Sequence, residues 1–227
     1  MRGPSPYIPY MIVTSEIPTL VLPESKVPRS AGLHQSTILR AIGMDCGLLR
    51  KDEEEEVGLT DVRRITDPVA IARMCLGLAW ESFYIPTQLP DVLDHPEEFQ
   101  FDGVYMSMDG ESISVIITQS PNPLKPKIDL LIHEVKCTYK SINTVGEFST
   151  QKELTKNWLW LAQLKNYCKA KRTRYAKLHV MFVCGDYKRP IIPIPKNFNF
   201  EFTQQELDDN WSFITDYAAH KMREDQK

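Results

Sequence analysis

Glu134 and Lys136 stand two residues apart in the segment Ile128 to Cys137, among Leu131, Ile132 and Val135. That composition reads as a strand, and side chains two apart in a strand share a face. Two opposite charges on one face of an apolar strand require an explanation, because a buried charge must be paired or ligate a cation. An edge-strand ion pair is one explanation. A reaction centre is the other, and Asp102 in the preceding Phe101-Asp102-Gly103 segment bears on it. In an antiparallel arrangement Asp102 comes beside Glu134. Two converging carboxylates repel and raise each other's pKa unless a cation neutralises them, and such oxygen ligands suit Mg²⁺ or Mn²⁺. Hydrolysis of a phosphodiester needs a cation at the phosphorus oxygens, an activated water and a positive group to orient that water. Asp102, Glu134 and Lys136 supply those parts, and Glu81, near the end of an apolar helical stretch, is a further carboxylate for an outer or second ion.

Taken together, Glu81 in GLAWESF, Asp102 in FDG, Glu134 and Lys136 in HEVK, and Gln163 with Tyr167 in QLKNY resemble the PD-(D/E)XK nuclease superfamily, in its RecB-like and phage lambda exonuclease-like branch. The resemblance spans about Arg29 to Cys184, and the closing FTQQELDDNW segment is similar to the C-terminal helix of RecB-like nucleases. It implies a restriction-endonuclease-like core in which Asp102, Glu134 and the Val135 carbonyl hold one or two Mg²⁺ or Mn²⁺ ions, Lys136 positions the attacking water and Glu81 assists. It further implies that Gln163 and Tyr167, on one helix face, contact DNA, with Lys165 and Lys169 beside them, and that His34 in RSAGLHQS helps hold the metal. The expected activity is a DNA nuclease leaving 5′-phosphate ends, an exonuclease of phage or bacterial replication, recombination or DNA breakdown, acting on double-stranded ends or on single strands. A structure-specific or restriction-like endonuclease and a catalytically idle DNA-binding module of the same fold are the alternatives. Ring-forming relatives make a homo-oligomer conceivable. Some members carry an iron–sulfur cluster bound after the nuclease core; no cysteine follows Cys184, so none is expected here. The Asp102 to Glu134 gap is longer than in compact members, and Asp129 is a rival acid. Asp129 opens the Glu134 strand, however, about 17 Å away along it at the usual rise.

The elements that must position these residues are legible in outline. Asp67 followed by Pro68 suits a helix start, running to about Phe83 and apolar on most sides, as for a buried helix. Ser30 suits the cap of a short helix to about Ala41, stopped by Gly43. FQFDGVYMS, ESISVIITQ and IDLLIHEVKCTYKS read as an antiparallel meander broken at Asp109-Gly110 and at the proline-rich PNPLKP. A helix follows over about Gln151 to Ala170. YAKLHVMFVCG is a nearly continuous apolar strand buried on both faces, with Ile191 to Ile194 beside it. Thr203 and Glu206 sit at capping-box spacing before a last helix. His133 points away from Glu134 and is read as packing, as are Trp158 and Trp160. The order predicts an α/β (α+β) domain over residues 29–227, a central mixed β-sheet flanked by helices, behind a proline-rich extended arm over 1–28.

Composition narrows the class. With 42% hydrophobic and 25% charged residues in 227, the chain matches an ordinary globular protein. No apolar run approaches a membrane span and no secretory signal pattern opens the chain, so no membrane partner and a cytoplasmic location are expected. Five widely spaced cysteines without a CxxC pair indicate reduced thiols. The net charge of -3 does not favour a nucleic-acid partner, but it conceals an acidic run over Asp52 to Glu56 and a basic stretch from Lys165 to Lys177, a candidate track for a phosphate backbone.

Overall fold

The computed structural model describes residues 30–49, 59, 68–116, 127–143 and 157–224. The arm over 1–28, Arg29, the acidic run, the Asp67 cap, the proline-rich turn and the predicted helix start at Gln151 lie outside the described residues. Helices α1 (Gln35–Asp45), α2 (Pro68–Gln88), α3 (Trp158–Lys171) and α4 (Gln204–Glu224) accompany seven strands. These are β1 (Leu93–Asp94), β2 (Phe99–Phe101), β3 (Val104–Met106), β4 (Gly110–Ile116), β5 (Lys127–Thr138), β6 (Tyr175–Phe182) and β7 (Ile194–Glu201). Five strands form one sheet in the order β1-β4-β5-β6-β7, and β2 pairs with β3 in a separate hairpin. Within the sheet only β5 and β6 are parallel. Their connection passes through α3, the crossover that a parallel pair requires. The architecture is the expected α+β with a mixed central sheet.

Alternation along β5 and β6 divides the core. Ile132, Ala176, Leu178, Val180 and Phe182 pack with buried residues of α1, α3 and α4. Val135 faces the other way, against Tyr84 and Ile85 of α2 with Trp80, Leu89 and Val92 around them. Helix α4 begins as its capping box predicts: Glu206 accepts from the Thr203 N–H at 2.8 Å, and the Glu206 N–H reaches Thr203 Oγ1 at 3.2 Å. Its Leu207, Trp211, Ile214 and Ala218 are buried at helical spacing.

Four expectations are corrected. The meander is broken, because Asp102 (φ 47°) and Gly103 (φ 81°) make a tight hairpin that keeps β2 and β3 to themselves. Helix α1 starts at Gln35 rather than Ser30: Leu33 O accepts the Tyr105 N–H at 2.8 Å and His34 bridges to Tyr105, so the segment before the helix is extended against β3. Gly43 lies inside α1, where a Cβ would meet Leu49 at 2.9 Å. Helix α2 runs to Gln88 and buries only Tyr84 and Ile85. Its apolar residues Val69, Met74, Leu76, Leu78 and Phe83 are exposed, so its composition reflects something other than enclosure between layers. No helix of the described residues is long and apolar enough to cross a membrane.

Thr203→Ala removes the hydroxyl that receives the Glu206 amide and should lower unfolding stability by about 1 kcal/mol in urea titration. An unchanged midpoint would mean that the cap contributes nothing.

Candidate active site

The site forms where β5 outruns its neighbour. Strand β4 pairs with β5 only as far as Gly110 opposite His133, whereas β6 accompanies β5 on to Thr138. Beyond His133 one edge of β5 therefore lacks a strand among the described residues, and Glu134 to Lys136 occupy that stretch. Asp109, just before β4, closes part of it: its Oδ2 accepts the Val135 N–H at 2.7 Å. Gly110 is needed beside it, because a Cβ there would come within 2.5 Å of Val92 Cγ1.

Glu134 is fully buried, and its Oε1 accepts a hydrogen bond from Lys136 Nζ. Its Oε2 is buried without a hydrogen-bond partner. Burial raises its pKa, and the Asp109 and Glu81 carboxylates add to the rise while Lys136 opposes it. Glu81, from α2, is pushed up to about 8 by burial and then by Asp109, with which it shares a hydrogen bond. For Lys136, burial alone would lower the pKa; the Glu134 and Asp109 carboxylates outweigh that and hold it above the usual lysine range, so the ammonium is charged. Three acids and one lysine thus act on one another at the open end of β5.

Helix α3 completes the back of the site. The buried Tyr167 hydroxyl donates to the Ser107 carbonyl and accepts from Gln163 Nε2 at 2.9 Å. Ser107 is two residues before Asp109, so the Gln163–Tyr167 pair braces the segment that delivers this carboxylate. Tyr167 feels burial first and then the charges of Glu134 and Asp109, which raise its pKa well above the ordinary phenol value.

The sequence-predicted residues divide accordingly. Glu81, Glu134, Val135, Lys136, Gln163 and Tyr167 gather at or behind this site. Asp102 does not. Its Oδ2 accepts the Trp211 Nε1–H at 2.9 Å while Phe101 packs on the same indole, so it latches the β2–β3 hairpin to α4. Asp109 holds the position beside Glu134 that the sequence reading assigned to Asp102. Asp129, the named rival, lies in the first part of β5, where its Oδ1 accepts the Leu130 N–H. His34 has both nitrogens engaged elsewhere: Nε2 lies 2.8 Å from the Ser30 carbonyl and Nδ1 3.4 Å from Glu98. Lys165 and Lys169 reach Glu206 and Asp208 of α4. Lys171 pairs with Glu111 and Arg174 with Glu201, so much of the supposed phosphate track is matched by acids.

The reading of the sequence missed Asp109 and His95. By sequence Asp109 reads as a turn former, although its Asp-Gly context matches that of Asp102. His95, at φ 47°, donates its backbone N–H to the Asp109 carbonyl at 3.1 Å, and its Nδ1 lies 3.3 Å from Glu81 Oε1. Nothing in its local sequence, Asp94-His95-Pro96, distinguishes it from a loop residue.

The donor set of Glu81, Asp109 and Glu134 is hard oxygen, as Mg²⁺ and Mn²⁺ prefer, and the orphaned Glu134 Oε2 is an atom that a cation would satisfy. Among the described residues no three acidic, histidine or cysteine side chains stand close enough to form a completed metal cluster as placed. Lys136 occupies one oxygen of Glu134 in this arrangement.

No protein-family model matches the chain, and no curated protein matches it in sequence. Among solved structures it is similar to an alkaline exonuclease from Laribacter hongkongensis, at 14% identity and a TM-score of 0.41, covering 72% of this chain and 73% of that one. It is also similar to a phage-related exonuclease from Haemophilus somnus, at 11% identity and a TM-score of 0.42, covering 83% and 78%.

If these acids hold a cation, Mn²⁺ should raise the melting temperature of the wild type in thermal denaturation and Asp109→Asn should abolish that rise. Asp102→Asn should lower the melting temperature of the free protein while keeping the Mn²⁺-induced rise. The reverse pattern would favour Asp102 over Asp109 as a ligand.

Proposed function

We propose that this chain is a divalent-metal-dependent deoxyribonuclease. The observation that carries the reading is the fully buried Glu134, one oxygen on Lys136 and the other unpartnered, facing Asp109 and Glu81 at an open strand end. Burying a carboxylate in this way is costly for a purely structural ion pair. It suits a centre that a cation completes.

In this reading Glu81, Asp109 and Glu134 hold Mg²⁺ or Mn²⁺. When bound, the ion supplies Lewis-acid stabilisation of the phosphoryl oxygens and lowers the pKa of a water. Lys136, kept charged by its acidic neighbours and 24% exposed at its side chain, orients the attacking water and offsets charge developing on the phosphate. Tyr167 and Gln163 hold the Ser107 to Asp109 segment rather than reading bases. The products would carry 5′-phosphate ends, and attack from DNA termini is the preferred mode, following the family resemblance drawn from the motifs. A phage or bacterial setting follows from the same resemblance.

Incubating linear and covalently closed DNA with the protein and Mg²⁺ or Mn²⁺ tests this directly. The wild type should release nucleotides from the linear substrate only, and Lys136→Ala should lower the rate by about 100-fold or more. Equal cutting by that variant would remove Lys136 from the mechanism, cutting of closed circles would favour an endonuclease, and DNA binding without cutting would leave a binding module.

A further inference from the structure

The face of the sheet turned towards α2 carries a polar file that crosses four strands, buried at His133 and His179, half-buried at Ser112 and exposed at Asn197. Ser112 of β4, His133 of β5, His179 of β6 and Asn197 of β7 are brought side by side by the register, in which Gly110 faces His133, Val135 faces His179 and His179 faces Asn197. Ser112 Oγ lies 2.8 Å from His133 Nε2, His133 Nδ1 3.0 Å from His179 Nε2, and His179 Nδ1 3.0 Å from Asn197 Oδ1. The two imidazoles stack at 5.3 Å with their planes 9° apart. From α2, the Tyr84 hydroxyl reaches the end of the file, 3.2 Å from His179 Nδ1 and 3.3 Å from Asn197 Oδ1.

The proton positions follow from donor and acceptor capacity. Asn197 Oδ1 can only accept, so His179 carries its proton on Nδ1. His179 Nε2 must then accept, which places the His133 proton on Nδ1. His133 Nε2 in turn accepts the Ser112 hydroxyl, and the Tyr84 hydroxyl donates to Asn197 Oδ1. Both rings are neutral; the single His179 Nδ1 proton is shared between Asn197 Oδ1 and the Tyr84 oxygen, and each other contact has its own donor and acceptor. A hydrogen-bonded network of this kind, with two buried imidazoles at its centre, is directional, unlike apolar contact, and holds its members in one arrangement.

Helix α2 needs such a device. Of its 21 residues only Tyr84 and Ile85 are buried. Ile85 rests with Val135 in an apolar cluster, a contact without the directionality of a hydrogen bond. Glu81 is three residues before Tyr84 and four before Ile85, hence on the same helix face. Small movements of α2 therefore carry Glu81 away from Asp109.

We propose that Tyr84, seated on the Ser112–His133–His179–Asn197 file, is a positioning residue that fixes where α2 presents Glu81 to the acidic site. The proposal rests on the reading of that site as a metal centre that includes Glu81. Calorimetric titration of the full chain with Mn²⁺ tests it, using wild type, Tyr84→Phe, Asn197→Ala, Glu81→Gln and the Tyr84→Phe/Glu81→Gln pair, with melting temperatures recorded alongside. Tyr84→Phe and Asn197→Ala should each weaken Mn²⁺ binding about 5-fold or more, and Tyr84→Phe should add no further weakening once Glu81 is Gln. Wild-type Mn²⁺ affinity in Tyr84→Phe, or losses that multiply in the double variant, would overturn the proposal, even if its melting temperature falls. A wild type that binds no Mn²⁺ would overturn it together with the metal reading. A wild type that binds Mn²⁺ yet leaves DNA intact would sink only the nuclease reading.

Discussion

A carboxylate without solvent contact is tolerated only where other charges answer it, and the fully buried Glu134 imposes that condition on its surroundings. Lys136 answers it within the strand, because a two-residue step returns to the same face. The remaining oxygen has no hydrogen-bond partner, and the nearby Asp109 and Glu81 carboxyls push its pKa up rather than relieve it. The arrangement is electrostatically incomplete as a protein-only structure, which is the ground for the proposal that a cation completes it. It persists because the rest of the fold is well packed: the core under α1, α3 and α4 draws buried residues from those three helices and from β3, β5 and β6.

Strand β5 separates two kinds of polar burial on its two faces. Glu134 and Lys136 project on the α3 side, where their charges remain incompletely balanced. His133 projects on the α2 side into a hydrogen-bonded file in which both imidazoles are pushed down to about 4, by burial first and then by neighbouring positive charge for His133, and by burial with the Lys177 charge against the Asn197 bond for His179. A histidine whose folded pKa lies below its unfolded value contributes stability that is present above about 6.5 and is lost as pH falls towards 4. The neutral file therefore holds its form in the range where the acidic site would work. One strand thus joins a satisfied network to an unsatisfied one, and α2 touches both, through Tyr84 and Glu81.

Charge elsewhere behaves differently. The basic stretch on and after α3 is spread along the seams with α4, β4 and β7, where lysine and arginine meet Glu206, Asp208, Glu111 and Glu201. Such partly exposed pairs contribute little individually. The attachment of α4 comes instead from Leu207, Trp211, Ile214 and Ala218, with the Trp211 indole also fastening the hairpin through Asp102. A basic run in a sequence measures local composition, and only the acids that fold against it determine how much of its field is left for a phosphate.

Features with a local cause were legible in the sequence. The shared face of Glu134 and Lys136 follows from the period of a strand, the start of α4 from the Thr203 to Glu206 spacing, and β6 from an apolar run bounded by Arg174 and Gly185. The tertiary structure alone decided which aspartate meets Glu134. Asp102 and Asp109 are each followed by glycine, and no local rule separates them. What separates them is where β4 stops against β5, how closely Val92 approaches Gly110, and whether the β2–β3 hairpin joins the main sheet or folds onto Trp211. The same holds for His95 and for the file from Ser112 to Asn197, whose members come from different strands and meet only through register. Periodicity and capping act over a few residues and can be read from them. Convergence of side chains far apart in the chain is fixed by packing, to which every element contributes.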